Sequence, residues 1–199
     1  MIALPNALTV MRILLVPVFA IAFVMPGDVS RIVAFLVFVV ASLSDWLDGF
    51  AARKLKAGSE FGRMLDPIAD KVLVAVALMM LVAEGDIRQF YLTTGLHSLL
   101  KLVPALIILS REILVSGLRE FLAELRVGLP VSQLAKWKTA VQMGAIAFLL
   151  VGDAASPYVT TAGIYLIWIA AGLTLVTGYD YLRTGLRHMA EDTPPGAAE

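Results

Sequence analysis

Cysteine is absent from the 199-residue chain, which excludes disulfides, thiolate metal sites and cysteine nucleophiles and says nothing of the redox compartment. Charge is scarce as well. Only 16% of residues are Asp, Glu, Lys or Arg, and the 16 cationic residues are balanced by 16 anionic ones. That balance removes the basic surplus a nucleic-acid partner requires, so no nucleic acid is expected. No internal repeat and no matched pair of broken helices is found, so the symmetry common in transporters has no support. The opening MIALPNALTVMRILLVPVFAIAFVM lacks a basic stretch before its apolar run and a small-residue cleavage pattern after it, and it is read as a retained segment.

Apolar residues are in excess: 59% of the chain is hydrophobic and the mean hydropathy is +0.85, against about 45–50% apolar usage in soluble domains. A hydrocarbon core about 30 Å thick takes about 20 apolar residues per helix. Six stretches qualify, at 5–25, 31–52, 65–84, 96–119, 138–152 and 161–182, and the fold expected is an all-α integral membrane protein of six transmembrane helices in one bundle. Breaks are expected at Pro26-Gly27-Asp28, Ala57-Gly58-Ser59, Glu84-Gly85-Asp86, Gly128-Leu129-Pro130 and Gly152-Asp153. Residues 1–190 are taken as a single membrane domain, and 191–199, with Pro194-Pro195-Gly196, as a disordered tail.

Basic residues sort to one side. Arg53, Lys54, Lys56 and Arg63 flank the second loop, Arg119, Arg126, Lys136 and Lys138 the fourth, and Arg183 and Arg187 follow the last stretch; the odd loops offer Arg31 and Arg88. The positive-inside rule then places both termini in the cytoplasm, with the protein in the inner membrane and its site facing the cytoplasm.

The informative segment runs from Ser44-Asp45-Trp46-Leu47-Asp48-Gly49 through Ala52-Arg53 to Gly62 and then Asp66 and Asp70. At about 100° per residue, Asp45, Asp48, Gly49 and Ala52 share one helix face, and Gly62, Asp66 and Asp70 share a face of the next. The short turn at Gly58 makes the two helices antiparallel neighbours, so the faces can meet. Four carboxylates beside a bilayer need cations, because like charges in low dielectric disfavour ionisation. Oxygen-only donors favour Mg²⁺ or Mn²⁺ over Zn²⁺, and four carboxylates suffice for two such ions, an arrangement suited to phosphoryl chemistry. Arg53 stands where a guanidinium can take a diphosphate, and the small residues beside it leave room for a ligand.

These positions match the pattern D-x2-D-G-x2-A-R-x8-G-x3-D-x3-D, and the chain resembles the CDP-alcohol phosphatidyltransferase family. The resemblance implies a homodimeric membrane enzyme of six helices that displaces CMP from a CDP-linked lipid using two divalent ions. It implies Asp45, Asp48, Asp66 and Asp70 as metal ligands, Asp70 also as the general base, and Asp48, Gly49, Ala52, Arg53 and Gly62 as nucleotide-diphosphate contacts. Asn6 and Thr9, in Pro5-Asn6-Ala7-Leu8-Thr9-Val10-Met11-Arg12, are further nucleotide candidates or else satisfy a helix start. That opening, with Arg111-Glu112-Ile113, Leu118-Arg119-Glu120 and Lys136-Trp137-Lys138-Thr139, resembles the branch that makes phosphatidylglycerol phosphate from CDP-diacylglycerol and sn-glycerol 3-phosphate. One departure is Ala135, where that branch has Gly before its first Lys.

A phosphorylated acceptor also follows from charge. Arg111 and Arg119 lie on one helix about 80° apart in azimuth, and Lys136 and Lys138 open the next; together they are expected to form a pocket for the acceptor phosphate. Side bias alone accounts for Arg119, Lys136 and Lys138 equally well, whereas Arg111, deeper in its span, needs a partner. Glu112 and Glu120 are read as ion-pair partners of their neighbouring arginines. Another acceptor, such as serine or inositol phosphate, would keep the signature and change this pocket. A divalent-cation transporter would place its carboxylates nearer the bilayer midplane.

Overall fold

The computed structural model describes the backbone of residues 4–55, 60–89, 96–124 and 133–191, and the side chains of 7–44, 65, 68–69, 71–83, 99–123, 133–152 and 154–186. The described residues form six helices and no strand: α1 Leu4–Val24, α2 Asp28–Leu55, α3 Glu60–Gln89, α4 Leu96–Glu124, α5 Gln133–Ala155 and α6 Pro157–Glu191. Each contains one of the six expected apolar stretches except α1, which starts one residue before and ends one before its stretch. Most extend beyond them because a helix does not stop where the hydrocarbon does; its backbone bonds remain satisfied in the polar layer.

Two expected breaks are not breaks. Glu84-Gly85-Asp86 lies inside α3, which runs on to Gln89, and Gly152-Asp153 lies inside α5. An interior glycine costs a helix only about 1 kcal/mol. At Gly152 the missing side chain has a use: a Cβ there would lie 2.5 Å from Thr160 Oγ1 and 3.1 Å from its Cα, and one at Gly163 would lie 3.1 Å from the backbone nitrogen of Leu149. The two glycines let α5 and α6 pack backbone to backbone. The true break is Ser156-Pro157, where Ser156 Oγ accepts from the Tyr158 amide at 3.3 Å and its carbonyl accepts from Val159 at 2.9 Å, a capping serine followed by proline at the first helical position. The break at Pro26-Gly27-Asp28 is present, with Gly27 at φ 107°, a conformation that suits glycine. Ala57-Gly58-Ser59 and Gly128-Leu129-Pro130 lie outside the described residues, as do residues 192–199 of the expected tail.

The packing is inside-out relative to a soluble protein. Leu14, Ile21, Val29, Ile113, Tyr158 and Tyr165 are among many exposed large apolar side chains, while Thr9, Arg12, Ser44, Lys138, Gln142, Thr174 and Thr177 are buried. An apolar exterior with polar groups turned inward suits lipid as solvent. Three described helical segments are long and apolar enough to cross a membrane, Ala7–Val24, Gln133–Gly152 and Pro157–Leu186, with a shorter apolar stretch at Lys71–Ala83. The core centres on Phe19, Phe38, Leu73, Leu81, Ile108, Ile146, Leu150 and Ile167.

Paired contacts fix the helix directions. Phe19 lies beside Phe38, ring centroids 6.1 Å apart, and Phe23 lies under the Arg31 guanidinium at 4.1 Å, so α1 and α2 are antiparallel. Gly152 against Thr160 and Leu149 against Gly163 make α5 and α6 antiparallel. Trp168 meets Leu100, Arg111 meets Thr177, and Gly185 meets Leu118, so α4 and α6 run parallel. Among described residues α1 packs against both α2 and α3, which themselves meet only sparsely.

Candidate functional site

The backbone carries Asp45, Asp48, Gly49, Ala52 and Arg53 on the closing turns of α2, and Gly62, Asp66 and Asp70 on the opening turns of α3. With only residues 56–59 between the two helices, both sets stand at one end of the bundle. Their side chains, and that of Asn6, lie outside the described residues. The donor chemistry of the set, four carboxylates without sulfur or imidazole, fits hard divalent cations.

Three described side chains near this end are polar and buried. Ser44, immediately before Asp45, is 3% exposed and donates to the Ala41 carbonyl at 2.7 Å. Thr9 and Arg12 of α1 are 1% and 0% exposed. Stepping seven residues from the Phe19–Phe38 pair, back along α1 and forward along α2, puts Arg12 at the level of Asp45. A fully buried cation therefore sits at the height of the first signature aspartate. Charge patterning does not single out Arg12, but the buried series Thr9, Arg12, Val16, Phe19, Phe23 steps by three and four, and that series places it inside.

A second polar cluster joins α4, α5 and α6. Lys138, 4% exposed, donates from Nζ to Glu112 Oε1, and the same oxygen stands 3.4 Å from Arg111 Nη1. Arg111 Nη2 donates to Thr177 Oγ1 at 3.0 Å, and its guanidinium carbon lies 5.6 Å from the Tyr181 ring centroid. Space for the arginine comes from Gly178, where a Cβ would approach Arg111 Cγ to 2.9 Å. The expectation that Arg111 needs a partner is met from two helices, and Glu112 is an ion-pair residue for both Arg111 and Lys138. Lys71, next in sequence to Asp70, lies within Coulombic range of Lys138, and α3 packs on both α4 and α5.

The four expected basic residues do not behave alike. Arg111 and Lys138 converge on one carboxylate, whereas Arg119 and Lys136 are exposed. Exposure at a helix end is what side bias alone produces. Ala135 lies within α5 and its carbonyl accepts from Thr139 Oγ1 at 3.1 Å, so alanine suits this backbone and glycine is not required. Three buried polar atoms in or near the cluster have no hydrogen-bond partner among the described residues: Arg111 Nε, Gln142 Oε1 and Thr174 Oγ1. Each costs about 1–3 kcal/mol if left unmet. Gln142 follows Lys138 by one turn, and the α5–α6 register that pairs Leu149 with Gly163 brings Thr174 level with Lys138. Sequence reasoning missed Thr174, Thr177 and Gln142, because small polar residues in apolar helices carry no charge signal.

The model of the CDP-alcohol phosphatidyltransferase family matches residues 2–176. Among similar proteins, the CDP-diacylglycerol–glycerol-3-phosphate 3-phosphatidyltransferase of Rickettsia bellii is 44% identical over 182 residues, 90% of this chain and 93% of that relative. Proteins of the same name from Pseudomonas fluorescens, 41% identical over 95% of this chain and 93% of its own length, and Escherichia coli, 41% identical over 90% and 92%, are similar along nearly their whole lengths. With eight signature positions at one end of the bundle and a family match spanning most of the chain, the protein belongs to the CDP-alcohol phosphatidyltransferase family.

Proposed function

We propose that the protein is a phosphatidylglycerophosphate synthase, which transfers the phosphatidyl group of CDP-diacylglycerol to sn-glycerol 3-phosphate and releases CMP. The observation that carries this reading is the near full-length similarity to relatives named for that reaction. The convergence of Arg111 and Lys138 supports it, since a phosphorylated acceptor needs cations turned inward and a neutral one does not.

In this reading Asp45, Asp48, Asp66 and Asp70 hold two divalent ions, Mg²⁺ or Mn²⁺, which supply charge neutralisation at the diphosphate and the transferring phosphoryl group. Gly49, Ala52 and Gly62 leave room for the nucleotide-diphosphate, Asn6 and Thr9 contact the nucleotide, Asp48 touches it as well, and Arg53 takes a phosphate oxygen pair. Asp70 accepts the proton of the glycerol 1-hydroxyl, whose oxygen attacks the β-phosphorus as CMP departs. Arg111 and Lys138 hold the acceptor's own phosphate, with Arg119 and Lys136 drawing it in from the surface. The acyl chains stay among lipids while acceptor and CMP exchange with the cytoplasm. Six transmembrane helices with both termini cytoplasmic, in the inner membrane and as a homodimer, complete the reading; residues 1–190 form its one domain.

The test is CMP release by the detergent-purified protein with CDP-diacylglycerol and Mg²⁺, offering glycerol 3-phosphate, serine, inositol phosphate or no acceptor. Release should require glycerol 3-phosphate. In Asp70→Asn it should fall by about 10²–10⁴ or more. Release with another acceptor instead would overturn the acceptor assignment.

A further inference from the structure

Glu112 Oε1 is the single oxygen on which two inward cations converge: Lys138 Nζ donates to it and Arg111 Nη1 stands 3.4 Å away. Two cations from two helices on one anionic oxygen is also how a phosphate oxygen would be held. Beside it a donor remains unspent: among the described residues Thr174 Oγ1, level with Lys138, is buried with no hydrogen-bond partner. Thr177 and Tyr181 hold the far side of the guanidinium, so Arg111 is fixed toward α6 and committed to Glu112 only loosely.

We propose that Glu112 is a specificity-determining residue, an internal carboxylate that occupies the acceptor-phosphate position until a phosphorylated acceptor displaces it. The proposal rests on the acceptor reading above. Its logic is electrostatic. Opening the Lys138–Glu112 pair at a site this buried strands charge on both partners. A neutral polyol offers nothing in return. A phosphate brings more negative charge than one carboxylate, together with further acceptor oxygens for Lys138 Nζ, Arg111 Nη1 and Thr174 Oγ1, so the exchange becomes favourable only for that ligand. Glu112 also neutralises one of the two cations while the site is empty, which an isolated pair of inward cations could not do for itself.

The experiment compares the full-length protein with Glu112→Gln, which keeps shape and hydrogen-bonding capacity but removes the competing charge. KM for glycerol 3-phosphate should fall by about fivefold or more, with KM for CDP-diacylglycerol unmoved. Inorganic phosphate should become a correspondingly stronger competitive inhibitor, and should protect the variant from heat unfolding at lower concentration than it protects the wild type. Glu112→Asp, with a shorter reach to the same cations, should shift in the same direction by less. An unchanged or raised acceptor KM in a folded variant would overturn the proposal, and so would loss of folding in both variants, which would make Glu112 a structural strut. Phosphate protection is read without turnover. If the wild type used an acceptor other than glycerol 3-phosphate, the acceptor reading would fail on its own evidence, while unaltered phosphate protection in Glu112→Gln would fail Glu112 alone.

Discussion

At the scale of single residues, the site's polar groups are held by what is missing beside them. Gly178 opposes the Arg111 side chain so closely that a Cβ would stand 2.9 Å from Cγ, while a Cβ at Gly172, on the same helix, would meet nothing within 4 Å. Gly178→Ala should therefore push the arginine stem off its course and raise the KM for glycerol 3-phosphate by about tenfold, since small displacements of a positioning group are costly. Gly172→Ala should leave it unchanged, and steady-state kinetics on the two variants checks both. The sequence makes half of this legible. Asp45, Asp48, Asp66 and Asp70 are readable because charge in an apolar chain is conspicuous and their spacing follows the helix period. Arg12 and Thr174 are not, because their burial depends on which neighbouring helix covers them, and that information lies in pairings across the bundle. The same limit explains why four basic residues look equivalent in sequence when two of them turn inward and two remain outside.

At the scale of elements, most helix positions were legible from hydropathy and the joins were less so. Glycine reads as a turn signal in sequence, yet Gly85 and Gly152 are helical; only an opposing backbone, as at Thr160 and Leu149, reveals the close approach that a glycine serves. Pro104 gives the reverse case, an apparent helix breaker inside α4. Proline has no amide hydrogen, so the carbonyl of Leu100, four residues earlier, loses its helical donor. Trp168 of α6 supplies one, its Nε1 donating to Leu100 O at 3.1 Å. The exchange ties α6 to the α4 segment on which Arg111 is mounted two turns later. Trp168→Phe should cost about 1 kcal/mol of stability by orphaning that carbonyl. In a Pro104→Ala background the restored amide serves the carbonyl from within the helix, and the cost of Trp168→Phe should drop towards zero. A double-mutant cycle of thermal unfolding in detergent checks the coupling; equal costs in both backgrounds would mean that Trp168 acts through its ring area alone.

At the scale of the whole molecule, helix direction ties the fold to the proposed chemistry. The antiparallel pairs α1–α2 and α5–α6 and the parallel pair α4–α6 are the relations that six successive crossings produce. On the proposed six-crossing topology the aspartate-bearing ends of α2 and α3 share a membrane face with the start of α5, where Lys138 meets Glu112. On that topology the same face carries Arg53, Lys54, Arg63, Arg119 and Lys136, which the positive-inside rule would assign to the cytoplasm, where a phosphorylated acceptor is soluble. The same topology puts the α1–α2 turn at Asp28 and the α5–α6 turn beside Tyr158, both exposed, on the opposite face. Because the chain has no cysteine, each position can be reported by a single introduced thiol with no background. Asp28→Cys and Tyr158→Cys should react with a membrane-impermeant maleimide in cells whose inner membrane is intact, and Ala198→Cys in the C-terminal tail only after that membrane is permeabilised. The reverse pattern would turn the basic face and its aspartates outward, away from the cytoplasm. Labelling of Asp28→Cys without Tyr158→Cys would mean that α5 and α6 do not both cross, leaving the Lys138–Glu112 contact without the membrane depth that makes its exchange selective.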